Sequence, residues 1–447
     1  LGLTPIILHP SPDSVFVIGY GAGTTIGHVM LHSRVKYGEV AEISDEVIDA
    51  SKYFNDINGE PLRNKNLRVI RDDGLSALLV SPRKYDVIIS QPSNPWSAGM
   101  GSLFTQEFFQ TCKDKLHKGG YVAQWFNLYE MDDKSLKLIL RTALSEFKHV
   151  TLWHISNSDI LILCSENEIN RDLKQIEKNY LSSEQELKKI DIHAFPAFLS
   201  QQLTSDRERI VHYAGDGPLN TEDLPLLEHW APRAYFHDSK PEKFYAIDER
   251  SDLLKHKNHL LRKYMNSKPN LTKDEILQAG LFQSTGGNKE LAYYLAELNP
   301  MIYLSWAEKA RQLGNIEKAN EFEQLASTAS SKMDTNSTIV DQTQNGIHEK
   351  NADVHANKGA FSQAINAISG SVGTILNMTG KQKVYGNILL VSLVINIGLN
   401  YLLIPIYGIN GAAIASASSM IFWNLYSVFY IYKEYSILTI ITFNTNK

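Results

Sequence analysis

Cysteine is almost absent: the 447 residues include only Cys112 and Cys164. Neither lies in a paired-cysteine motif, which excludes a disulfide framework and a thiolate metal site and suits a reducing compartment. No other cluster has metal-ligand spacing, so no metal is expected. A strong positive charge is also lacking. Lys and Arg number 44 against 49 Asp and Glu, a net charge of -5, which argues against nucleic acid as a partner. No signal-peptide pattern is present. The chain opens at Leu1, one short segment before a core-type strand, and reads as a fragment of a longer protein. The most informative absence is local. Between Val384 and Tyr432 there is no Asp, Glu, Lys or Arg, whereas the chain before about Lys358 is rich in all four. The two ends suit different solvents.

Hydrophobic residues make up 43% and charged residues 21%, as in an ordinary globular protein, and the length suits two or three domains. Ser14–Gly19 is a short apolar run ending in glycine, the pattern of a buried parallel strand. Further strands are expected at Glu39–Ser44, Leu67–Arg71, Tyr85–Ser90 and Tyr121–Trp125, with closing strands at Val150–His154 and Asp159–Cys164. Helices are expected at Thr24–His32, at Glu46–Phe54 with Asp45 as cap, around Thr105–Leu116 and at Lys134–Phe147. Alternating strands and helices imply an α/β fold with a doubly wound, Rossmann-type sheet over residues 1–165. Residues 166–250 form an extension of mixed character. Residues 251–329 read as helices, and Leu291–Leu298, Ile302–Leu313 and Ile316–Ala326 resemble one tetratricopeptide-type unit. Residues 330–358 are rich in Ser, Thr, Asn and Asp and read as a linker, followed by a membrane segment over 359–447.

Four features fall at successive strand ends, where ligands of such sheets bind. Gly19, Gly21 and Gly23 form a turn that lets a ligand approach the backbone and aims helix amides at it. Their spacing differs from the dinucleotide fingerprint, so a pyrophosphate is not implied. Glu42, near the end of the second strand, can accept both hydroxyls of a ribose. Asp72 and Asp73 follow the third strand, where a carboxylate can accept an adenine amino group. Gln91-Pro92-Ser93-Asn94-Pro95-Trp96 follows the fourth. Each alone is compatible with a bland role: a tight turn, a surface carboxylate, or a helix cap for Asp73. Trp96 and Trp125 suit either a substrate pocket or core packing.

In order, VFVIGYGAGTTIG, AEISDEVIDASKYF, RVIRDDGLSALL, KYDVIISQPSNPW, SLFTQEFF and KGGYVAQW resemble successive blocks of spermidine synthase-like proteins. NTEDLPLLEHWAPR (Asn220–Arg233) resembles a further block of the large bacterial members, so the resemblance spans about residues 3–235. It implies a class I methyltransferase-like sheet and a site for decarboxylated S-adenosylmethionine or S-adenosylmethionine, with Gly19, Gly21, Glu42 and Asp73 at cofactor positions. It also implies a small-molecule amine acceptor, with a carboxylate after the fourth strand as general base and a second one holding the amine. Here this chain departs from the pattern. The two acids of the family motif are replaced by Gln91 and Asn94, and an amide cannot take a proton near neutral pH. Tyr85 and Asp86 are nearby, but Asp86 precedes the strand body rather than following it. The usual N-terminal substrate segment is missing from this chain.

Lys383 is the last charge before the apolar stretch 385–407, and a second stretch, 411–432, ends at Lys433. Both are long enough to cross a bilayer, with Tyr and Trp near their ends. The alternative is a buried helical hairpin. Gly373–Tyr432 resembles the C-terminal part of polysaccharide flippases of the MATE-like superfamily. Lys381, Lys383 and Lys433 put both ends of the hairpin in the cytoplasm by the positive-inside rule, with residues 359–380 expected to be interfacial or only partly inserted. The expectation is a spermidine synthase-like transferase on the inner (cytoplasmic) membrane, its Rossmann domain in the cytoplasm. Its aminopropyl transfer is expected to be weakened by Gln91 and Asn94. Partners are the amine or another small substrate and the lipid bilayer; a homodimer stays open. An S-adenosylmethionine-dependent methyltransferase and a non-enzymatic membrane protein with a flippase-like end are the alternatives.

Overall fold

Valine and isoleucine are frequent in the short runs that become strands β1 (Ser14–Ile18), β3 (Leu67–Arg71) and β4 (Tyr85–Ser90), while β2 (Tyr37–Glu42) and β5 (Leu116–Asn127) carry one valine each. β-Branched side chains pack well on a pleated surface. The computed structural model describes residues 1–156, 158–267, 271–335, 382–407 and 409–435. These five strands are parallel, and β6 (His149–Ser156), β7 (Asp159–Ser165) and β8 (Gln202–Thr204) extend the sheet antiparallel. The order is β3-β2-β1-β4-β5-β7-β6-β8. Val15 and Val17 point to one face of β1 and Phe16 and Ile18 to the other, and all four are buried in two separate cores. Helices therefore cover both faces, as a parallel sheet requires.

One core takes α1 (Leu3–Leu8) and α2 (Thr24–Leu31); α3 (Asp45–Ala50) and the short α4 (Asn55–Asn58) follow along the β2 side. The other takes α5 (Gly74–Val80), α6 (Gln106–Asp114) and α7 (Asp133–Glu146). The second strand runs two residues earlier than its sequence suggests. Ser44, not Asp45, then caps α3, its hydroxyl accepting from the Val47 amide at 3.3 Å. Asp45 becomes the first helical residue, where a carboxylate still suits the positive helix end. The chain tightens into a 3-10 turn at Ser51–Phe54 instead of continuing as one helix.

Residues 166–250 resolve into α8 (Leu173–Leu181), α9 (Glu184–Lys188), α10 (Phe195–Leu199), α11 (Arg207–Ala214) and α12 (Leu226–Phe236). After them come α13 (Leu260–Ser267), α14 (Lys273–Ser284), α15 (Lys289–Leu298), α16 (Met301–Gln312) and α17 (Ile316–Thr335). Ile6, Val17, Phe198, Leu261, Leu291 and Ala329 share one continuous core, and residues 1–339 form one compact unit. α17 runs through Thr335, beyond the start expected for the linker. Ala326 and Ala329 are buried, and Thr328, Ser330 and Ser331 satisfy their hydroxyls on carbonyls four residues back. Polar composition there hides a helix whose small residues pack inward. The rest of the linker and residues 359–380 lie outside the described residues.

Residues 340–447 form a second unit. In it α18 (Gln382–Tyr407) and α19 (Ile409–Tyr435) pair through Ile388, Val428 and Ile431. Among the described residues, α18 is the helix long and apolar enough to cross a membrane, over Gly386–Leu403. α19 carries four serines against one in α18 and, among the described residues, does not meet that measure.

Candidate functional site

The sheet reverses its order between β1 and β4, and the loops leaving these strands meet there. Open α/β sheets bind ligands in that crevice. The Gly19 amide still donates to the Ala41 carbonyl at 2.9 Å before the chain turns out. Gly19, Gly21 and Gly23 then take φ of +89°, +53° and +80°. At Gly19 the demand for glycine is double, because a β-carbon there would lie 2.6 Å from the carbonyl oxygen of Gln91. Gly23 starts α2 without a capping side chain, which leaves the first amides of that helix to a ligand or water. The Asn58 amide group holds the turn from behind, donating to the Ala22 carbonyl at 2.9 Å.

Glu42 ends β2 and reaches across to this turn. Its Oε2 accepts from the Tyr20 amide at 2.9 Å and the Gly21 amide at 3.5 Å, and Oε1 accepts from the Ser44 amide at 3.1 Å. Asp72 and Asp73 follow β3 and are exposed. Asp73 is also the cap of α5, its Oδ1 accepting from the Ser76 amide at 2.8 Å, while Asp72 Oδ1 accepts from the Asp73 amide at 2.8 Å. Each keeps its second oxygen as an acceptor. Gln91 opens the loop after β4, and its Oε1 accepts from the Thr25 hydroxyl at 2.5 Å, tying this loop to α2. The geometry thus brings the glycine turn, Glu42 and Gln91 onto one crevice, with Asp72 and Asp73 at the neighbouring strand end.

Asn94 lies further along. Its Oδ1 accepts from the Tyr129 hydroxyl at 3.4 Å. Trp96 is half-buried, stacked on Tyr235 at 5.2 Å and edge-on to Tyr129 at 5.6 Å. Trp125 stands on the opposite face of β5 from the buried Phe126, with Leu161 as its register partner, and takes no part in this group.

Reading the sequence strand by strand misses two things. The first is a polar floor. Ser90 ends β4 and is the register partner of Gln124, and Asn127 ends β5 three residues further on. All three are fully buried, yet Ser90 Oγ, Gln124 Oε1 and Asn127 Oδ1 have no hydrogen-bond partner. An unmet buried acceptor costs about 1–3 kcal/mol, so such atoms at a ligand-binding strand end carry information. A lone amide in the otherwise apolar run Tyr121–Trp125 was the available signal. The second is the purpose of Asn220–Arg233. Glu228 accepts from the Gly99 and Gly101 amides at 3.2 and 2.7 Å, and Asn220 donates to the Gly101 carbonyl at 3.0 Å. This block clamps the loop that follows β4.

Comparison with known proteins bears on the same residues. The family model of the spermine/spermidine synthase domain matches residues 1–154. Over those residues the chain is similar to that family of domains. Curated proteins similar to this region include the polyamine aminopropyltransferase of Buchnera aphidicola, 35% identical over 122 residues, 27% of this chain and 42% of the relative. That of Methanocaldococcus jannaschii is 32% identical over 130 residues, covering 29% of this chain and 44% of the relative. The chain thus spans under half the length of these relatives. Among solved structures, spermidine synthase from Thermotoga maritima is 20% identical, with a TM-score of 0.33 over 52% of this chain and 71% of that one. Human methyltransferase-like protein 13 in complex with SAH is 19% identical, with a TM-score of 0.34 over 42% and 89%.

Tyr85 and Asp86 are far from this crevice. Asp86 stands at the amino end of β4, four residues or roughly 13 Å from the ligand end. Its Oδ2 accepts from the Ser14 amide and hydroxyl and from the Asp13 amide. Tyr85 is buried and donates to the buried carboxylate of Glu39 at 2.6 Å. Burial, and then that carboxylate, raise its pKa strongly, so it keeps its proton. Neither is a base for chemistry at the crevice.

Proposed function

We propose that residues 1–154 form an adenosyl-dependent synthase domain that binds decarboxylated S-adenosylmethionine or S-adenosylmethionine in the crevice bordered by Gly19–Gly23, Glu42 and Asp72–Asp73. The observation that carries this reading is the reach of Glu42 from the end of β2 to the amides of the glycine turn. A ribose lying along that turn meets a carboxylate with lone pairs to spare, and the α2 amides face the rest of the ligand. The chemistry that follows is displacement at a carbon next to the sulfonium. The acceptor lone pair forms the new bond, the C–S electrons return to sulfur, and an amine acceptor loses a proton. Gln91 and Asn94 cannot take that proton, so aminopropyl transfer by this chain is weak. The same two amides favour a second reading, methyl transfer from S-adenosylmethionine to an acceptor that needs no strong base. Calorimetry on the full chain with each adenosyl compound separates the two. Tighter binding of the decarboxylated form supports aminopropyl transfer, tighter binding of the intact form supports methyl transfer, and binding of neither overturns both.

We also propose that the second unit attaches the protein to the inner (cytoplasmic) membrane, with the synthase domain in the cytoplasm. The apolar window of α18 has a mean hydropathy of 1.7 and is 11% buried. Leu390, Val394, Ile397 and Leu402 are each at least 60% exposed, whereas the buried Ser392 donates to the Ser419 carbonyl and Asn396 donates to the Ser419 hydroxyl. Apolar outside and polar inside is the arrangement that lipid favours and water does not. Extraction of the full chain is expected to need detergent, and a chain ending at Ile339, which keeps the first unit whole, is expected in the aqueous fraction. Full-length protein that stays in the aqueous fraction without detergent would sink this reading.

A further inference from the structure

Helix α12 holds the loop that leaves β4 at two points along one face. Glu228 and Tyr235 are seven residues apart, about two turns, so they project from the same side of the helix. Tyr235 stacks on Trp96 at 5.2 Å. Glu228 Oε2 accepts from the Gly99 amide at 3.2 Å and Oε1 from the Gly101 amide at 2.7 Å. Both oxygens are thus given to amides at the start of the 3-10 turn Met100–Phe104. Among the described residues no Lys or Arg forms an ion pair with this half-buried carboxylate. A carboxylate placed for solubility faces water or a cation; this one is committed to main-chain groups 129 and 127 residues away. Gly101 makes room for it, because a β-carbon there would lie 2.7 Å from Glu228 Oε1. The other end of the loop is fixed at the crevice, where the Gln91 amide donates to the Ile18 carbonyl at 3.0 Å. The stretch carrying Asn94 and Trp96 is therefore strung between the crevice and α12.

From this geometry we propose that Glu228 is a positioning residue for group transfer. It fixes the path of the loop after β4, and with it the placement of Asn94 and Trp96 relative to the crevice, without touching a ligand itself. The inference rests on the reading of residues 1–154 as an adenosyl-dependent transferase, and adds to it the helix that sets its loop. Displacement at a carbon next to the sulfonium needs an in-line approach, and a misplacement of about 1 Å caused far from the chemistry can cost about 10²-fold in rate. Two charge-assisted bonds to one short turn supply that precision, since the apolar anchors of the loop, Leu103 and Phe104, come only after Gly101. Adenosyl binding does not depend on the clamp, because the glycine turn, Glu42, Asp72 and Asp73 belong to other elements.

The test uses the full chain in single turnover, with protein in excess over decarboxylated S-adenosylmethionine and putrescine at saturation, and follows thioether release. Glu228→Gln keeps the size of the side chain but turns an amino group toward one of the two loop amides. Gly101→Ala sets a β-carbon against Glu228 and breaks the same contact from the loop side. Each is expected to lower the saturating rate at least about tenfold. The combined variant should be no slower than the slower single one, because a contact already broken cannot be broken again. Amide exchange at Gly99 is expected to quicken in both variants. Calorimetric affinity for the adenosyl compound should stay within about twofold, which also shows that each variant is folded. Unchanged rates or unchanged Gly99 exchange in both variants, additive losses in the combined one, or a loss of adenosyl affinity as large as the loss of rate overturns the proposal while the adenosyl reading stands. No thioether release by a wild-type chain that binds the adenosyl compound overturns it too, and leaves that site in place. Absence of any adenosyl-ligand binding overturns both.

Discussion

Replacing Glu42 with alanine is expected to weaken adenosyl-ligand binding by about 1.5–3 kcal/mol, the range for hydrogen bonds to a charged group. At the crevice the carboxylate has two jobs. It is the acceptor offered to the ribose, and it accepts from the Tyr20 and Gly21 amides of the glycine turn. Alanine removes both, so the turn also loses the partner that shapes it. Glutamine keeps the size and one acceptor oxygen, and should fall between wild type and alanine. Glu42 is only partly buried and its loss leaves both cores untouched, so the melting temperature should move little. Calorimetry and a melting curve on the same sample check the two halves of the expectation. Unchanged affinity in a folded Glu42→Ala chain would remove this residue from the site.

The second large effect concerns the missing base. Wild-type protein is expected to transfer an aminopropyl group to putrescine poorly, and Gln91→Asp with Asn94→Asp should raise the rate by about 10²–10⁴, the usual contribution of a general base. Both positions can accept the change. Gln91 already acts as an acceptor toward the Thr25 hydroxyl and Asn94 toward the Tyr129 hydroxyl, so a carboxylate inherits a donor at each place. Initial rates of thioether release with and without the two substitutions make the comparison. Fast turnover by the unmodified chain would contradict the argument. The base would then not be Tyr85, whose proton is held against Glu39, nor Asp86, which is bound to Ser14 at the other end of the strand. An unimproved double variant that still binds the adenosyl ligand would instead mean a pocket adapted to another acceptor.

Much of the sheet is legible residue by residue. Short runs with buried apolar residues, leading to Gly19, Glu42, Asp72 and Ser90, give both the strands and the end at which ligands bind, because a parallel sheet buries both faces of its strands and leaves its polar residues at their tips. The glycine turn is equally plain, since only glycine accepts the φ values at positions 19, 21 and 23 without strain. The charge-free stretch 384–432 marks a change of solvent by composition alone. Helix and strand ends are less exact. Ser44 rather than Asp45 caps α3 because the register of β2 against β1 and β3 sets where the strand stops, and that pairing is a long-range matter.

What the sequence by itself determined, then, is local: which runs are strands, where glycine is obligatory, which carboxylates stand at strand ends, and that amides replace acids at 91 and 94. Each follows from neighbouring residues through sterics, periodicity and side-chain chemistry. The tertiary structure decided the pairings across long separations. It set Glu42 against the glycine turn, placed Ser90 beside Gln124, and bound Glu228 to Gly101 across the clamped loop. It also gathered Trp96, Tyr129 and Tyr235 from three separate segments. No periodicity records such meetings, because the free energy that fixes them comes from burying two cores at once and not from the residues adjacent in the chain.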